Sequence, residues 1–232
     1  MKHPPSSKPI PKPAPGKRRI FLVDDHPVTR EGLARLINHE SDLEVCGEAG
    51  TAAAALPAIE SRPPDLVIID VSLTTGASGL ELMKDLAARN PRLRMLALST
   101  HDESLYAERA LRAGAQGYVM KQEPTGLVML AIRKVLHGEV YLSKAMNERM
   151  LRKMTARGTA PLASEIERLS DRELEVYRRL GQGRGTRQIA TELNLSISTV
   201  ETYRTHIKEK LRLDSAPELV RHAVEWVHSQ AS

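Results

Sequence analysis

The sequence predicts an α/β fold, a doubly wound five-stranded parallel sheet, followed by a second, all-α domain of four helices. A chain of 232 residues is longer than one typical domain, so two domains are expected. Between residues 19 and 138, short apolar runs alternate with amphipathic stretches, which is the pattern of βα units that pack helices on both faces of a parallel sheet. After Tyr141 no further strand pattern occurs, so the last segment is predicted to be helical.

Five apolar runs are predicted to be the strands of the sheet. They are IFLV, LEVCGEA, DLVIID, RMLALS and GYVM, at residues 20–23, 43–49, 65–70, 94–99 and 117–120. The helices that follow them are predicted at about residues 27–38, 51–61, 79–89, 103–113 and 124–137. The third and fourth runs are apolar almost throughout, which is typical of strands buried on both faces, so we expect these two strands to be central.

The C-terminal segment shows helical periodicity in short pieces. A helical stretch over 144–155 leads into TARGTAPLASE, whose Gly, Pro, Ser and Ala residues are typical of a linker. Four helices are predicted beyond it, at about residues 171–181, 185–193, 197–211 and 215–229. Two Ser-x-x-Glu patterns, Ser170 to Glu173 and Ser198 to Glu201, are typical of capping boxes and predict two of the helix starts.

Composition and charge limit the class of protein. Residues 1–17 hold six of the 14 prolines and predict a disordered, basic, Pro-rich tail. Residues 141–232 carry 16 Lys or Arg against 12 Asp or Glu, which is a weak indication of nucleic-acid contact. Cys46 is the only cysteine and cannot form an intramolecular disulfide, and no apolar run approaches the length of a membrane span. We therefore expect a cytoplasmic protein without a membrane partner.

Polar side chains follow four of the five predicted strands. Asp24 and Asp25 follow the first strand, Asp70 ends the third, Ser99 ends the fourth and Lys121 follows the fifth. Because parallel strands end at one edge of their sheet, we expect these groups to meet there. Three carboxylates close together repel one another and require a cation, and hard oxygen ligands suit Mg²⁺. The alternative interpretation is that the carboxylates are only helix caps and loop charges.

A carboxylate beside a metal ion, a lysine and a hydroxyl has the groups needed to form an acyl phosphate. Asp70 is the expected nucleophile, and Lys121 is expected to contact the phosphoryl oxygens. Phosphatases that form an aspartyl phosphate typically place an acid/base residue two positions later, where this chain has Ser72. The adduct is therefore expected to persist, which suits a signal better than a turnover cycle. His26 follows the acidic pair, and we interpret it as an ordinary exposed loop residue.

Two other functional classes compete with a signalling role. A Mg²⁺-dependent phosphohydrolase needs an acid/base residue and a substrate pocket, and the sequence indicates neither, so we do not expect an enzyme. An inert scaffold that is regulated by protein contact would not need all five polar groups. Reaction with acetyl phosphate separates the three classes.

One helix of the C-terminal segment has a core face and a polar face. Val200, Tyr203, Ile207 and Leu211 lie on one stripe at helical spacing, and the opposite face is polar with excess positive charge. Placed after a short helix and a turn, this helix has the layout of a helix-turn-helix recognition element. A basic helix face is more often simply solvated, so spacing alone leaves DNA binding undecided.

The motifs LVDDH, VIIDVSL, ALST and GYVMK resemble those of the receiver domain of bacterial two-component response regulators, whose fold is flavodoxin-like. The resemblance implies that Asp70 is the phosphoacceptor for a sensor histidine kinase. It implies that Asp25, Asp70 and the main-chain carbonyl of Ser72 hold Mg²⁺, with Asp24 assisting through water. The phosphoryl contact and switch residues that it implies are Ser99, Lys121 and Tyr118.

The motifs LSDRELEVYRRLGQG, RQIATELNLSISTVETYRTHIKEKL and ELVRHAV resemble the LuxR-type DNA-binding domain, and with the receiver they give the architecture of NarL/FixJ-type response regulators. The residues that this resemblance implies for contact with double-stranded DNA are Arg187, Glu201, Thr202, Arg204, Thr205 and Lys208. Many members have Lys at the position of Glu201. Its carboxylate either reads a cytosine amino group or closes the cap on Ser198, and we favour the cap.

Together these interpretations predict the domain organisation and the function. The predicted parts are a tail over 1–17, a receiver domain over 18–140, a helical linker over 141–167 and a DNA-binding domain over 168–232. We expect a phosphorylation-controlled transcriptional regulator that is a homodimer when active. Phosphorylation is expected to draw Ser99 and Tyr118 inward and to shift an equilibrium between arrangements of the two domains.

Overall fold

The N-terminal part of the chain is a five-stranded parallel sheet with helices on both faces, as predicted. A computed structural model describes residues 16–73, 76–100, 102–155 and 165–230. The strands have the order β2-β1-β3-β4-β5, and every pair is parallel. The elements are β1 Arg18–Val23, α1 Pro27–Asn38, β2 Leu43–Ala49, α2 Ala52–Ser61, β3 Leu66–Asp70, α3 Gly79–Arg89, β4 Arg94–Ser99, α4 Glu103–Arg112, β5 Gly117–Met120 and α5 Thr125–Leu136.

Both faces of this sheet are buried, because the side chains of each inner strand alternate between two helical layers. In β1, Ile20 and Leu22 pack with α1 and α5, whereas Phe21 and Val23 pack with α2, α3 and α4. Every residue of β3 is buried, and β3 is the middle strand. The central position predicted for the third strand is confirmed. The fourth is also an inner strand, and β1 lies on the other side of β3.

The C-terminal part is helical, as predicted. Its elements are α6 Lys144–Thr155, a 3-10 helix Glu165–Arg168, α7 Asp171–Gly181, α8 Thr186–Leu193, α9 Ile197–Leu211 and α10 Ala216–Gln230. The apolar stripe of α9 faces the core, since Val200, Ile207 and Leu211 are buried and Tyr203 packs against them. A Cβ atom on Gly181 would lie 2.3 Å from the carbonyl oxygen of Ala223, so the close crossing of α7 and α10 requires glycine there.

One of the two predicted capping boxes is confirmed and the other is wrong. Ser170 and Glu173 cap α7 reciprocally. The start of α9 is instead capped by Ser196, whose hydroxyl accepts a hydrogen bond from the Thr199 amide at 3.0 Å. The turn after α8 decides this: Asn194 adopts a left-handed conformation (φ 55°) and Leu195 packs against the core, so Ser196 is the first free capping residue.

The segment that joins the two parts begins on the sheet. Tyr141 forms a parallel bridge with Gly117, and the Tyr118 amide donates to the Tyr141 carbonyl at 3.0 Å. The sheet therefore continues into the first residue of the predicted linker. Residues 1–15 of the predicted tail and 156–164 of the predicted linker lie outside the described residues. Within the described ranges, no helix is both long enough and apolar enough to span a membrane.

Candidate functional site

The carboxyl edge of the sheet brings three carboxylates together. Asp24 is 4% exposed and Asp70 is 1% exposed, while Asp25 is half-buried. With His26, these residues each offer one possible metal-ligand atom, and the four atoms lie within 4.8 Å of one another. Like charges at this density are unfavourable unless a cation is present, so the cluster can hold a metal ion.

Lys121 lies in the same cluster and contacts two of the carboxylates. Its Nζ is 2.7 Å from Oδ2 of Asp24 and 2.8 Å from Oδ2 of Asp70. Burial alone would lower the pKa of Lys121, but hydrogen bonds to Asp24 and Asp70 outweigh it and hold this pKa above its usual value. Burial also raises the pKa of Asp70, and the hydrogen bond from Lys121 offsets only part of that effect.

Ser72 follows β3, Ser99 ends β4 and Tyr118 lies in β5. Ser99 is fully buried at the end of β4, and the Tyr118 hydroxyl is hydrogen-bonded to it. Tyr118 is 1% exposed, and burial raises the pKa of its hydroxyl. The Ser72 amide donates to Oδ1 of Asp70 at 2.8 Å, which fixes that carboxylate. Tyr118 therefore lies inside the domain in this arrangement.

His26, which the sequence indicates to be an exposed loop residue, is exposed, and it also lies against the acidic cluster. Its Nδ1 is 2.8 Å from Oδ1 of Asp25 and 3.4 Å from Oδ1 of Asp24. Pro27 is the first residue of α1, so His26 is held at the N-cap position with an extended backbone (φ −91°, ψ 106°). The sequence feature that indicates this position is that His26 directly follows the acidic pair and directly precedes Pro27, whose ring restricts the backbone of the turn.

Gly79 allows α3 to begin directly against the end of β3. A Cβ atom on Gly79 would lie 2.0 Å from the main-chain oxygen of Asp70. We expect Gly79→Ala to lower the free energy of unfolding by about 1–3 kcal/mol, because backbone must move to admit the methyl group. Urea unfolding measures this. The control is Gly126→Ala in the first turn of α5, where no atom of the described residues lies within 4 Å of the added methyl group. Equal effects in the two variants would contradict the prediction.

The outward face of α9 is open to solvent. Glu201, Thr202 and Thr205 are exposed there, Lys208 is half-buried, and Arg187 is exposed on α8. Four of the residues implied for DNA contact therefore lie on one helix face, with the fifth on the preceding helix. This is the arrangement of a helix-turn-helix surface.

Arg204, the sixth residue implied for DNA contact, turns toward the start of α8. Its NH1 donates to the Thr186 hydroxyl at 2.6 Å, and its side chain is 18% exposed. The guanidinium is therefore engaged within the domain rather than extended from it.

An ionic contact between the two parts of the chain was not indicated by any sequence pattern. Asp171, at the start of α7, pairs with Arg109 of α4 at 2.8 Å and with Lys84 of α3 at 2.5 Å. Burial alone would raise the pKa of Asp171, but hydrogen bonds from Lys84 and Arg109 outweigh it and hold this pKa below its usual value. Beside it, Arg172 pairs with Glu81 of α3 at 2.7 Å. We call these five residues the interdomain clamp.

Comparison with known proteins identifies both parts of the chain. Residues 20–133 match the family of response regulator receiver domains, and residues 167–223 match bacterial regulatory proteins of the luxR family. The chain is 34% identical over 210 residues to the oxygen regulatory protein NreC of Staphylococcus aureus, which covers 89% of this chain and 97% of that protein.

Solved structures give the same result. A LuxR-family two-component response regulator from an Aurantimonas species is 32% identical and covers 61% of this chain and all of its own, with a TM-score of 0.56. RcsB of Salmonella enterica, solved bound to promoter rprA in the presence of the phosphomimetic BeF3⁻, shares the fold over 90% of this chain and 99% of its own, with a TM-score of 0.64 at 23% identity. This chain belongs to the two-component response regulators that join a receiver domain to a LuxR-type DNA-binding domain.

Proposed function

We propose that Asp70 accepts a phosphoryl group from a sensor histidine kinase and that this modification controls promoter binding. The observation that carries the proposal is the position of Asp70. Its carboxylate is buried at the end of β3, 2.8 Å from Lys121 and within the acidic cluster. It lies in the part of the chain that matches response regulator receiver domains. The family consists of transcription regulators, so we do not propose an enzymatic role.

In the proposed step, a carboxylate oxygen of Asp70 attacks the phosphorus of a phosphohistidine. The new P–O bond forms as the P–N bond breaks, and the released imidazole nitrogen takes a proton from solvent. The ammonium of Lys121 then pairs with a phosphoryl oxygen instead of the bare carboxylate, and Ser99 donates its hydroxyl to another. Ser72 supplies no acid or base two residues after Asp70, so hydrolysis of the acyl phosphate is slow.

The carboxylates fit a hard divalent cation, and we infer that it is Mg²⁺. Asp24, Asp25, Asp70 and the main-chain carbonyl of Ser72 would hold it, and when bound it neutralises charge on the phosphoryl oxygens. Oxygen ligands predominate in the cluster, which favours Mg²⁺ over softer metals.

A variant of Lys121 tests whether a cation binds among these carboxylates. We expect Lys121→Met to lower the free energy of unfolding by about 3 kcal/mol without Mg²⁺, because two buried carboxylates lose their cation. MgCl2 should then raise the unfolding temperature of the variant more than that of the wild type, since added cation replaces the lost charge. The control is Lys134→Met on the exposed side of α5. Unfolding temperatures of both Lys121→Met and wild type that do not respond to MgCl2 would contradict the proposed site.

A surface for the kinase lies beside the cluster. A cavity of about 590 Å³ runs between α1 and α5, with Lys121 at its edge and apolar walls that include Leu33, Leu36 and Val128. Val28, at the start of α1, is 84% exposed. A donor that brings phosphohistidine to Asp70 must cover this edge, so we propose that the kinase packs against the groove.

Phosphorylation would reach the DNA-binding domain through α4. Tyr118, which contacts Ser99 beside Asp70, lies close to Tyr106 of α4, and Arg109 on the same helix joins the interdomain clamp. We propose that phosphorylation shifts α4, weakens the clamp and frees the DNA-binding domain to pair in a homodimer. A dimer would read two half-sites about one or more DNA turns apart, as dimeric helix-turn-helix proteins do. We propose that this takes place in the cytoplasm.

Reaction with acetyl phosphate and MgCl2, followed by intact mass measurement, tests the proposed function. Stable addition of one phosphoryl group is the expected result. Rapid release of inorganic phosphate without a lasting adduct would indicate a phosphohydrolase. Absence of any reaction would indicate a scaffold that is regulated by contact alone.

A further inference from the structure

Glu201 is an exposed residue of α9, the helix proposed to meet DNA. It is five residues after the N-cap Ser196 and lies outside the buried stripe that contains Val200 and Ile207. Its side chain is 55% exposed and lies beside Thr202. An acid at this place is unexpected for a surface that meets DNA, because phosphates repel it.

The structure excludes the capping role that would have explained this acid. Ser196 caps the helix, and the Ser198 hydroxyl is 2.8 Å from that of Ser196 rather than available to a box with Glu201. Glu201 is the fifth residue of the helix, two positions beyond the third residue from which a capping-box side chain reaches back to the N-cap amide. Its carboxylate therefore needs another explanation.

The carboxylate is held in place by the neighbouring helix. Its Oε1 accepts a hydrogen bond from the Thr186 hydroxyl at 2.8 Å and lies 3.5 Å from NH1 of Arg204. Arg204 in turn donates to the same Thr186 hydroxyl at 2.6 Å. Within the part of the chain that the structure describes, all contacts of the Glu201 carboxylate fall on Oε1, so Oε2 is available to accept a further hydrogen bond.

A fixed carboxylate on a recognition surface selects its partner by chemistry. It can only accept hydrogen bonds, and the donors in the major groove are the amino groups of cytosine and adenine. The adenine amino group lies beside N7 of the same base, an acceptor that repels a carboxylate, whereas cytosine presents only its amino group in the major groove and no acceptor of its own. Cytosine is therefore the favoured base.

We propose that Glu201 is a specificity residue that reads a cytosine amino group in the major groove, with Thr186 and Arg204 as positioning residues. The inference rests on the proposed promoter binding and adds the base that one side chain selects. Oε2 can accept a hydrogen bond from the cytosine amino group while Oε1 keeps its hydrogen bond from the Thr186 hydroxyl. The side chain is thus ordered before DNA arrives, which reduces the entropy lost on binding.

Selection from a randomised DNA library, with the full-length phosphorylated protein, tests this inference. We expect the wild type to enrich cytosine at one position of each half-site. Glu201→Gln should change that preference to adenine, because a carboxamide pairs with adenine N6 and N7, and Glu201→Ala should remove the preference. Replacing the cytosine should weaken wild-type binding roughly 10-fold and leave the binding of Glu201→Ala nearly unchanged.

Matched variants separate base reading from charge and packing. Glu209→Gln removes the same charge from an exposed position of α9 and should leave the selected motif unchanged. Thr186→Ala should weaken the cytosine preference at the same position only, and Thr186→Ser, which keeps the hydroxyl, should retain it. An unchanged motif in both Glu201 variants would overturn the inference while leaving DNA binding intact. A wild type that selects no motif would overturn the inference together with the proposed promoter binding.

Discussion

Asp70→Asn is expected to abolish stable phosphorylation of the full-length protein by acetyl phosphate. The substitution keeps the size of the side chain and the oxygen that accepts from the Ser72 amide, but it removes the nucleophilic carboxylate. Because Asp70 is buried and its pKa is raised by burial, the loss of its charge should not destabilise the fold. Intact mass measurement after incubation with acetyl phosphate and MgCl2 reads the result directly.

The matched control for this experiment is Asp85→Asn. Asp85 is an exposed residue of α3, so its variant loses an Asp carboxylate outside the acidic cluster. It should gain one phosphoryl group as the wild type does. An Asp70→Asn protein that still acquires a stable phosphoryl group, or still gains DNA affinity from acetyl phosphate, would contradict the assignment of Asp70 as the acceptor.

Arg109→Ala is expected to raise the DNA affinity of the unphosphorylated protein about 10-fold, since a charged hydrogen bond that restrains the domains contributes about 1.5–3 kcal/mol. The Arg109 side chain is 11% exposed and that of Asp171 is 17% exposed, so solvent screens this pair only weakly. Arg109 also donates to the carbonyl of Glu167, which ties α4 to the 3-10 helix. Removing it should loosen the clamp without touching α9.

Two measurements and one control test the clamp. Fluorescence anisotropy with the selected DNA gives the affinity, and small-angle scattering should show a larger radius of gyration for Arg109→Ala. Arg112→Ala is the control, because Arg112 is an exposed residue of the same helix that pairs with Glu108. A compact Arg109→Ala protein whose DNA affinity equals that of the control would rule out the clamp as a restraint.

The sequence determined the layout of the acidic site. Apolar runs of strand length between amphipathic stretches permit one arrangement, a parallel sheet covered on both faces, and such a sheet brings the ends of its strands to one edge. Asp24, Asp70 and Lys121 are far apart in the chain, yet each directly ends or follows a strand. Their meeting at 2.7–2.8 Å follows from topology, which the sequence already predicts.

Only the tertiary structure decided the contacts that have no periodic signal. Arg109 and Lys84 meet Asp171 across 62 and 87 residues, between surfaces that would each be ordinary charged faces in isolation. The capping of α9 by Ser196 depends on how the preceding turn packs, and the position of the Glu201 carboxylate depends on the hydroxyl of Thr186 on another helix. Hydrophobic periodicity indicates which face of a helix or strand is buried. Which polar side chains of two elements pair depends on how the whole elements pack together, and no local sequence pattern shows that.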